Sequence, residues 1–560
     1  MKVTKGKECK TLAQVIERNT GLKEQDFLHP ACHPYLYHLD EAVTLFHEVV
    51  ANGEKIRIIG DYDMDGIAAS VILFMSIRSF VKDVSVRLPK RFSEGYGLSD
   101  TIIDEVSEGL VITVDNGITA IKQIEKLKKK GVKVIVIDHH LPDNILPPAD
   151  VIVDPHAESD SEFKEYCGAG LAYRFAEKIL SDSYLLNQLL VLAGIATVTD
   201  MVPLLGANRY LVQESLKFIN HRIGTDGLLA LCRILDCTQN VTEDDYGFLI
   251  GPVCNASGRL LDDGPMDVFR LLSKKIEPFA IDYDEQFIQM HEDARMLKER
   301  NEQRKIDTQK AMEQLESQIT VSDEPVIVAY LEHVSSGIIG LVASGVAEKY
   351  QRPAFVFADT MQEGVITGSA RTYGDIHLKN DILVPCRELF LSCGGHSEAA
   401  GVRMMREKLP DFKEKLRQVV KLVEGKETTY DMECSMDEIP GLFQKLKEYA
   451  PFGRNNPKPV FLIKDYELSP RYGKFYEVKG KDTLKLYNDK YNALGRDMYQ
   501  KYLDEGKPMK LNILVTLNEK YIKGRKVQML ELMDLESVKE EKNISALQED
   551  FSKLLNFMED

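Results

Sequence analysis

The chain has 560 residues, more than one hydrophobic core usually organises, so several domains are expected. Hydrophobic residues make up 44% of it and charged residues 28%, a balance that is normal for a soluble globular enzyme. The formal net charge of −17 by itself argues against nucleic-acid binding, although local rather than net charge decides whether a protein binds nucleic acid.

The sequence contains neither a signal-peptide pattern nor an apolar run of the ~20 residues that a membrane span needs. Its nine cysteines include no Cys-x-x-Cys pair, which favours free or buried thiols over a disulfide framework. Such thiols are typical of a reducing compartment, so a cytoplasmic protein is expected.

The first informative segment is an acidic turn between a predicted strand and a predicted helix. Residues 55–59 predict a short β-branched strand, and residues 67–80 predict an apolar helix. Between them, Asp61, Asp63 and Asp65 occupy alternate positions. Ligands of open α/β sheets bind at the carboxyl ends of strands. Because three carboxylates this close repel one another unless a cation or shared protons offset their charge, the turn predicts a divalent metal site.

Two other structures could contain such a turn. An EF-hand loop also begins Asp-x-Asp-x-Asp-Gly, but its twelfth position, counted from Asp61, is Ile72 here instead of the required Glu. The preceding segment also predicts a strand, where an EF-hand needs a helix. A solvated, Asp-rich turn closed by Gly66 stays open as the structural alternative.

Two further predicted strands end in polar residues. Residues 110–114 and 132–137 are apolar and β-branched, and an amphipathic pattern at 118–130 predicts a helix between them. Alternating strands and helices predict a parallel sheet, which brings the carboxyl ends of its strands to one edge. Alone, each of these ends is usually a turn or a surface feature, but three in register with strands indicate a site. The residues that follow the two strands are Asp115 after the first, and Asp138, His139 and His140 after the second.

Asp200 supplies another carboxylate. It follows an apolar segment at residues 194–198 and precedes Pro203, a pattern that by itself predicts only the end of a helix. Beside the acidic strand ends it becomes a candidate metal ligand.

Together these groups resemble the DHH phosphoesterase superfamily and, within it, the RecJ family of single-strand-specific 5′→3′ DNA exonucleases. The residues that carry the resemblance are Asp63, Asp65, Asp115, Asp138, His139, His140 and Asp200. Further segments are similar to the same family, and the similar stretch runs roughly from residue 50 to residue 530. These segments are residues 89–98, 167–170, 255–260, 368–371, 394–401 and 451–457.

The resemblance implies an α/β fold: a parallel-sheet DHH domain joined by a long helix to an α/β DHHA1 domain, followed by an OB-like β-barrel. Residues 282–319 suit the joining helix, because they are rich in Glu, Gln, Lys and Arg and contain neither Pro nor Gly. Residues 325–331 and 353–357 predict strands on either side of a helix at 338–350. The predicted domains are an N-terminal segment (1–50), the DHH catalytic domain (51–280), the connecting helix (281–320), the DHHA1 domain (321–425), the OB-like nucleic-acid-binding domain (426–538) and a charged helical tail (539–560).

The resemblance also implies a catalytic centre that holds two Mn²⁺ or Mg²⁺ ions. Asp115 would bridge the two ions, and Asp63 would bind one of them. The other ion would be completed by Asp65, His139 and Asp200. Mixed carboxylate and imidazole ligands suit Mn²⁺ better than Mg²⁺, which prefers oxygen.

Three neighbouring residues have supporting roles in this prediction. Asp61 either binds a metal through water or only shapes the turn. His140 completes the catalytic set, either as a phosphate contact or as support for a metal ligand, and Asp138 orients an imidazole.

Phosphates rather than bases must position the substrate of such an enzyme, and Arg carries a planar fork that matches phosphate geometry. By resemblance, Ser369 and Arg371 clamp the terminal 5′-phosphate of single-stranded DNA. Gly394 and Gly395 are predicted to form a turn whose N–H groups approach an anion. The alternatives are a solvated surface charge for each Arg and a merely tight loop for the glycines. The other implied substrate contacts are Arg91, Asn255, Arg259 and His396.

Lys and Arg outnumber Asp and Glu between residues 458 and 530, in contrast to the acidic chain as a whole. Such a local excess follows a phosphate backbone, and aromatic residues among the charges offer platforms for base stacking. The alternative is that these aromatics fill the core of a small barrel. The candidates are Tyr466, Tyr472, Phe475, Tyr476, Tyr487 and Tyr491.

The function implied by the resemblance is a metal-dependent exonuclease of single-stranded DNA in repair and recombination, with single-strand-binding protein and a helicase as expected partners. A phosphoesterase of short oligoribonucleotides or cyclic dinucleotides is the alternative within the superfamily, although it would not require the OB-like domain. A non-catalytic DNA-binding scaffold predicts eroded metal ligands, whereas every ligand position here is intact. An inorganic pyrophosphatase would use the same ligands but needs no strand-binding platform.

Overall fold

The computed structural model describes residues 9–95, 97–157, 160–276, 282–319, 324–395, 397–421, 429–480, 482–522 and 525–538. The chain divides into two compact units. The larger unit comprises Gln25–Lys426 and Pro451–Asn456, and the smaller unit comprises Met1–Glu24, Glu427–Ala450 and Pro457–Asp560. Within the larger unit, we call residues 25–276 the first lobe and residues 324–421 the second lobe.

Five parallel strands form the sheet of the first lobe. The elements up to residue 276 are, in chain order, α1 (Leu12–Thr20), α2 (Glu24–Leu28), α3 (Leu39–Ala51), β1 (Ile56–Ile59), α4 (Met64–Ile77), β2 (Val84–Arg87), α5 (Asp100–Asp104), β3 (Leu110–Val114), α6 (Ile121–Lys129), β4 (Lys133–Ile137), β5 (Val151–Val153), α7 (Gly168–Ile179), α8 (Ser183–Thr199), α9 (Gly206–Asn220), α10 (Asp226–Ile234), α11 (Glu243–Asp245), α12 (Gly251–Leu260) and α13 (Gly264–Leu272). Helix α1 belongs to the smaller unit. The strand order is β2-β1-β3-β4-β5, which confirms the predicted parallel sheet.

Helices cover both faces of this sheet. Ile58 and Ile112 belong to a core shared with α4, α7 and α8 on one face. Val111 and Val134 belong to a second core with α5 and α6 on the other. Strands β3 and β4 are therefore almost continuously apolar, as parallel strands buried on both faces are. Because helices bury both faces of the sheet, the polar residues next to these strands lie at the strand ends.

The predicted helix starts of this lobe differ from the observed ones by three residues. Helix α4 begins at Met64 instead of residue 67, because the Asp63 carboxylate caps it. Helix α6 begins at Ile121 instead of residue 118, after a turn in which the N–H of Ala120 donates to the carbonyl of Gly117. Gly117 has a φ of +116°, a conformation that favours glycine.

A 36-residue helix, α14 (Tyr283–Gln318), packs against both lobes, in agreement with the predicted connector. Of its predicted apolar face, Met290, Ala294 and Leu297 are buried, whereas Phe287 is 37% exposed. Arg300 attaches the helix to α13 of the first lobe.

The second lobe is a five-stranded mixed sheet. Its elements are β6 (Ile327–Leu331), α15 (Ile339–Tyr350), β7 (Ala354–Asp359), β8 (Val365–Arg371), β9 (Ser392–Gly395), β10 (Ala399–Met405) and α16 (Leu409–Val419). Strands β6 and β7 are parallel, and the remaining neighbours in the order β6-β7-β8-β10-β9 are antiparallel. The two strands and the helix predicted at the start of this lobe are confirmed as β6, α15 and β7.

The predicted glycine turn in the second lobe is wrong, because Gly394 and Gly395 end the edge strand β9. Gly395 pairs with Ala400 of β10. A Cβ at Gly395 would lie 2.4 Å from the carbonyl oxygen of Ala399, so only glycine allows the strands to come this close. His396, the next predicted contact, lies outside the described residues.

The smaller unit contains a seven-stranded sheet. Its elements after α1 are β11 (Met432–Glu433), α17 (Ile439–Tyr449), β12 (Phe461–Glu467), β13 (Tyr476–Lys479), β14 (Thr483–Leu486), β15 (Ala493–Gly495), α18 (Tyr499–Asp504), β16 (Lys510–Ile522) and β17 (Arg525–Ser537). The strand order is β11-β12-β16-β17-β15-β14-β13. The tail at residues 539–560, predicted as a charged helix, lies outside the described residues.

The aromatic residues of this unit divide between core and surface. Tyr466 is 1% exposed and donates its hydroxyl to the carbonyl of Tyr491, so it belongs to the core. Tyr487 is also buried, whereas Tyr472 is 92% exposed and Phe475 is 36% exposed. The prediction of stacking platforms is therefore wrong for Tyr466 and Tyr487, whose rings are needed inside the sheet. Across the described ranges, we find no helix long and apolar enough to span a membrane.

Candidate metal centre

The acidic turn after β1 is held in a compact conformation by hydrogen bonds. Asp63 Oδ1 accepts from the backbone N–H groups of Asp65 and Gly66, at 3.1 and 3.2 Å. Asn255 Oδ1 accepts from the N–H of Met64 at 2.7 Å, which ties α12 to the start of α4. A Cβ at Gly66 would lie 2.6 Å from the Cβ of Asp61, so glycine is required where the turn closes on itself. The turn therefore presents its carboxylates at the carboxyl edge of the sheet.

Helix α7 contributes its N-terminus to the same edge. The carboxylate of Asp65 accepts from the N–H of Gly168 at 2.7 Å and from the N–H of Ala169 at 2.8 Å. Unpaired N–H groups and the positive end of the helix dipole favour an anion at this position. A Cβ at Gly168 would lie 2.6 Å from the Cβ of Asp115, so the helix approaches a second carboxylate as closely as glycine allows.

Asp115 and His139 lie at the centre of the cluster. Asp115 follows β3 and is 3% exposed, with a φ of +59° that few residues other than glycine adopt. His139 Nε2 lies 3.1 Å from Asp115 Oδ1. It also lies 3.7 Å from Asp65 Oδ2 and 3.8 Å from Asp200 Oδ2. The first turn of α4 and the ends of β3, β4 and α8 thus meet around one imidazole nitrogen.

Ligand atoms in this cluster fall into three groups, each with all its atoms within 4.8 Å of one another. These groups are Asp61, Asp63 and Asp115; Asp65, His139 and Asp200; and Asp115, His139 and His140. Asp115 appears in two of the groups and His139 in two. Every predicted metal ligand is therefore in the cluster, and Asp61 is as close to Asp63 and Asp115 as a ligand would be.

The carboxylates of the cluster repel one another electrostatically. Burial, followed by the charges of neighbouring carboxylates, raises the pKa of Asp61, Asp63, Asp115 and Asp200. Asp61 Oδ1 is buried and accepts no hydrogen bond from the described residues. Several buried acids and one orphaned oxygen fit a divalent cation, which would supply the missing partner and offset the repulsion. The donor set, carboxylate oxygens with one or two imidazoles, fits Mn²⁺ and Mg²⁺.

The two histidines have opposite protonation preferences. Burial lowers the pKa of His139, which favours the neutral imidazole that a metal ligand requires. Burial also opposes charge on His140, but the hydrogen bond to Asp138 and the negative charges of Asp138, Asp200 and Asp61 together outweigh it and raise the pKa of His140 to about 9. His140 Nδ1 donates to Asp138 Oδ1 at 2.8 Å. His140 is therefore a cation at neutral pH, beside a group of carboxylates.

Arginines from both lobes converge next to the acidic turn. The guanidinium carbon of Arg91 lies 4.8 Å from the ring centre of Tyr62, a residue of that turn. Burial, followed by the charge of Arg91, lowers the pKa of Arg259 to about 10, and the same two causes lower the pKa of Arg371. Arg259 also donates to the carbonyl of Gly337 at 3.3 Å, which joins α12 to the second lobe. Like charges held together in this way favour an anion between them.

Ser369 and Arg371 lie against the first turn of α15. A Cβ at Gly340 would lie 3.4 Å from Arg371 Nη2 and 3.5 Å from Ser369 Oγ. A helix N-terminus beside an Arg and a hydroxyl has the donors that bind a phosphate. By contrast, Gly394 lies two strands away, because it pairs with Gly401 and Gly401 pairs with Ser369. At ~4.8 Å between neighbouring strands, that separation is ~10 Å.

The structure adds one acidic residue that the sequence analysis did not single out. Asp154 follows β5 as Asp115 follows β3, and it is 2% exposed beside the Asp138 strand end. Burial raises its pKa to about 7. The signal was available, since a short β-branched run at residues 151–153 ends in a carboxylate. The strand is only three residues long, which made the pattern weak.

Known proteins share this architecture. Three family models match the chain: the N-terminal domain of the DHH family at residues 55–197, the DHHA1 domain at residues 323–422 and the RecJ OB domain at residues 430–534. The single-stranded-DNA-specific exonuclease RecJ of Haemophilus influenzae is 32% identical over 410 residues, which is 69% of each chain. The RecJ of Bacillus subtilis is 30% identical over 461 residues, which cover 80% of this chain but 56% of that protein. The chain thus matches little more than half of the length of the Bacillus relative.

Solved structures agree with the family models. The crystal structure of RecJ from Thermus thermophilus in complex with Mn²⁺ matches with a TM-score of 0.78 and 25% identity, over 94% of this chain and 76% of that one. The complex of the same protein with Mg²⁺ matches with a TM-score of 0.73.

A parallel sheet whose strands end in carboxylates and imidazoles, followed by a DHHA1 lobe, defines a protein of the DHH class. At 32% and 30% identity, the RecJ proteins of Haemophilus influenzae and Salmonella typhimurium are matched over 69% and 77% of their own length. The chain belongs to the RecJ family.

The raised carboxylate pKa values predict how metal and pH together affect stability. In EDTA, the folded state retains protons that the unfolded chain loses above about pH 4, so stability should fall as pH rises through the raised values. A divalent cation requires the ionised carboxylates, so the increase in Tm caused by Mn²⁺ should be larger near pH 8 than near pH 6. Thermal unfolding in EDTA and in Mn²⁺ at both pH values measures this. An equal or smaller Mn²⁺ effect at the higher pH would contradict a metal site made of these acids.

Proposed function

We propose that the chain is a metal-dependent exonuclease that hydrolyses single-stranded DNA to nucleotides from its 5′ end. One observation carries this proposal: two groups of candidate metal ligands lie next to each other, and arginines from both lobes lie beside them. Asp115 belongs to one group and contacts His139 of the other. A hydrolytic metal site next to a phosphate site suits an enzyme that cuts close to a phosphorylated end. The names of the relatives, single-stranded-DNA-specific exonucleases, support the substrate.

Asp115 is the proposed bridge between two cations. Its carboxylate belongs to the group of Asp61 and Asp63, and its Oδ1 contacts His139 of the other group. Asp65, His139 and Asp200 would hold the second cation. When bound, the cations supply an activated water and stabilise the charge of the leaving oxygen.

The remaining residues of the site position these ligands or carry charge. Asp138 binds its backbone neighbours and His140, so it orients the strand end on which His139 lies. His140, as a cation, is suited to contact a phosphate oxygen of the substrate. Asn255 holds the N-terminus of α4 through Met64, so we assign it a positioning role in the acidic turn.

Ser369 and Arg371 are the proposed clamp for the terminal 5′-phosphate, with the N-terminus of α15 behind them. Arg91 and Arg259 complete the positive cluster on the side of the acidic turn. A terminal phosphate carries more negative charge than an internal phosphodiester, so such a cluster selects a chain end. Gly394 and Gly395 would line the approach of the strand rather than the clamp itself.

The proposed activity has consequences for its setting. A 5′ single strand arises where a helicase has opened a duplex, and single-strand-binding protein covers such strands, so we propose these two as partners in DNA repair and recombination. We place the enzyme with its substrate in the cytoplasm. The exposed Tyr472 and Phe475 are the candidate stacking residues that the fold of the smaller unit leaves accessible.

Degradation of labelled oligonucleotides tests the proposed function. Single-stranded DNA with a 5′-phosphate, labelled at the end or internally, is incubated with Mn²⁺, Mg²⁺ or EDTA, beside duplex DNA and single-stranded RNA of the same sequence. We expect mononucleotides from the 5′ end of single-stranded DNA, and none in EDTA. Activity confined to RNA or a dinucleotide would support the alternative phosphoesterase, and binding without cleavage would support the scaffold.

A further inference from the structure

The loop Pro451–Asn456 is fixed to the first lobe, although the residues on either side of it belong to the smaller unit. Glu243 Oε1 accepts from the N–H of Phe452 at 2.9 Å. The buried Arg209 donates to the carbonyl of Pro451 at 3.5 Å. These contacts give the loop a defined position on the lobe that carries the metal centre.

Arg454, in the middle of this loop, contacts both lobes. Its carbonyl accepts from the N–H of Leu204 at 2.9 Å, and Leu204 is four residues after Asp200. Its side chain extends to the second lobe, where Nη1 lies 3.7 Å from Glu398 Oε2.

Glu398 lies directly beside the proposed phosphate clamp. Its carbonyl accepts from the N–H of Thr372 at 3.1 Å. The next residue, Ala399, pairs with Arg371 across β10 and β8. The Arg454–Glu398 pair therefore lies between the end of β8 and the segment that follows Asp200.

The geometry of this ion pair is weak. The side chains of Arg454 and Glu398 are 44% and 64% exposed, and a single contact at 3.7 Å uses little of the guanidinium fork. Exposed pairs of this kind contribute little to stability. A phosphodiester offers two oxygens that match the fork, so it competes well for the same guanidinium.

We propose that Arg454 binds an internal phosphate of the single strand, and that Glu398 holds the guanidinium in place until the DNA replaces the carboxylate. This inference rests on the proposed exonuclease function. It adds a phosphate contact from the loop Pro451–Asn456, which belongs to neither lobe as defined above. It differs from the clamp of Arg371, because an internal phosphate is present whether or not the 5′ end is phosphorylated.

Opposite substitutions of the pair test the proposal. Arg454→Ala should weaken binding of single-stranded DNA in EDTA about three- to tenfold, raise KM by a similar factor with kcat kept, and lower the salt dependence of binding by about one phosphate contact. The loss should be equal for 5′-phosphate and 5′-hydroxyl strands, and Arg454→Lys should restore part of it. Glu398→Gln should tighten binding about two- to fivefold, because it frees the guanidinium.

A second exposed pair provides the matched control. Arg417→Ala and Glu324→Gln make the same charge changes in the second lobe, where Arg417 of α16 pairs with Glu324 ahead of β6 instead of beside the clamp. Each control should change binding less than its Arg454 or Glu398 counterpart. A set of strands, each with a single neutral methylphosphonate linkage at a different position near the 5′ end, locates the contact. At one of these positions the linkage should weaken binding to the wild type and have no further effect on binding to Arg454→Ala.

Two results would overturn this inference. One is a wild type that degrades single-stranded DNA while Arg454→Ala binds it no worse than Arg417→Ala. The other is a loss of binding in Glu398→Gln, which would make the pair a structural contact. In both cases the exonuclease function would stand, whereas a wild type without DNA hydrolysis would reject the proposed function itself.

Discussion

Replacement of Asp115 by Ala is expected to abolish DNA hydrolysis and leave single-strand binding largely intact. The carboxylate is close to both groups of ligand atoms, so its loss should disturb both cations at once. Two-metal hydrolysis depends on several kcal/mol of charge stabilisation, so kcat should fall by at least about a thousandfold. The arginines and the smaller unit are unaffected, so the affinity measured by fluorescence anisotropy in EDTA should change little. Initial rates on labelled single-stranded DNA in Mn²⁺ provide the other half of the test.

A second variant guards against a folding defect. Asp115→Asn keeps the side-chain shape and tolerates the left-handed backbone at this position, where Ala adds strain. It removes a buried acid whose pKa is raised, so the metal-free protein should be more stable than the wild type, while the Mn²⁺-dependent increase in Tm should disappear. Asp143→Ala, an exposed acid near the histidines, should leave activity unchanged. A fully active Asp115→Asn enzyme would falsify the two-metal assignment.

The second large effect is expected at Arg371, whose replacement by Ala should remove the preference for a 5′-phosphorylated end. A hydrogen bond to a charged group contributes about 1.5–3 kcal/mol, which corresponds to roughly 10- to 100-fold in kcat/KM on phosphorylated strands. Strands with a 5′-hydroxyl should be cut at nearly the wild-type rate, because they lack the group that Arg371 contacts. The measurement compares kcat/KM on both kinds of strand.

Two controls accompany this comparison. Arg371→Lys keeps the charge but not the planar fork, so it should restore only part of the preference. Arg417→Ala removes an exposed Arg elsewhere in the second lobe and should leave the ratio of the two rates unchanged. If Arg371→Ala slows both kinds of strand equally, the residue contacts the strand in general, and the clamp for the terminal phosphate is rejected.

The negative net charge of the protein does not conflict with a negatively charged DNA substrate, because the charges are arranged unevenly. The chain carries a formal net charge of −17, yet the acids of the site are packed where cations would offset them. The positive groups proposed to face the substrate are close enough for the charge of Arg91 to lower the pKa of Arg259 and of Arg371. Local fields of this kind act over about a Debye length, ~8 Å at physiological salt, so the net charge has little influence there.

Local sequence was sufficient for the elements that carry the metal site. Runs of β-branched residues that stop at a carboxylate identified β1, β3 and β4, because a strand buried on both faces leaves its polar residues at the ends. The long helix α14 followed from a stretch without Pro or Gly. The start of α4 was misplaced, because whether Asp63 acts as a cap depends on the fold of the turn. Gly394 and Gly395 were predicted as a turn but end strand β9. Their pairing with Gly401 and Ala400 of β10 depends on the sheet and not on the glycine pattern itself.

By itself, the sequence determined that acidic and imidazole groups collect at one edge of a parallel sheet, since strand periodicity and right-handed crossovers leave few other arrangements. Tertiary structure alone decided the rest. It placed Asp65 against the N-terminus of α7 and brought Asp200 to within 3.8 Å of His139. It also brought Arg454 next to Glu398. These partners are separated by about 60 to 100 residues along the chain, and contacts at such separations depend on the packing of whole elements, which no local pattern of residues encodes.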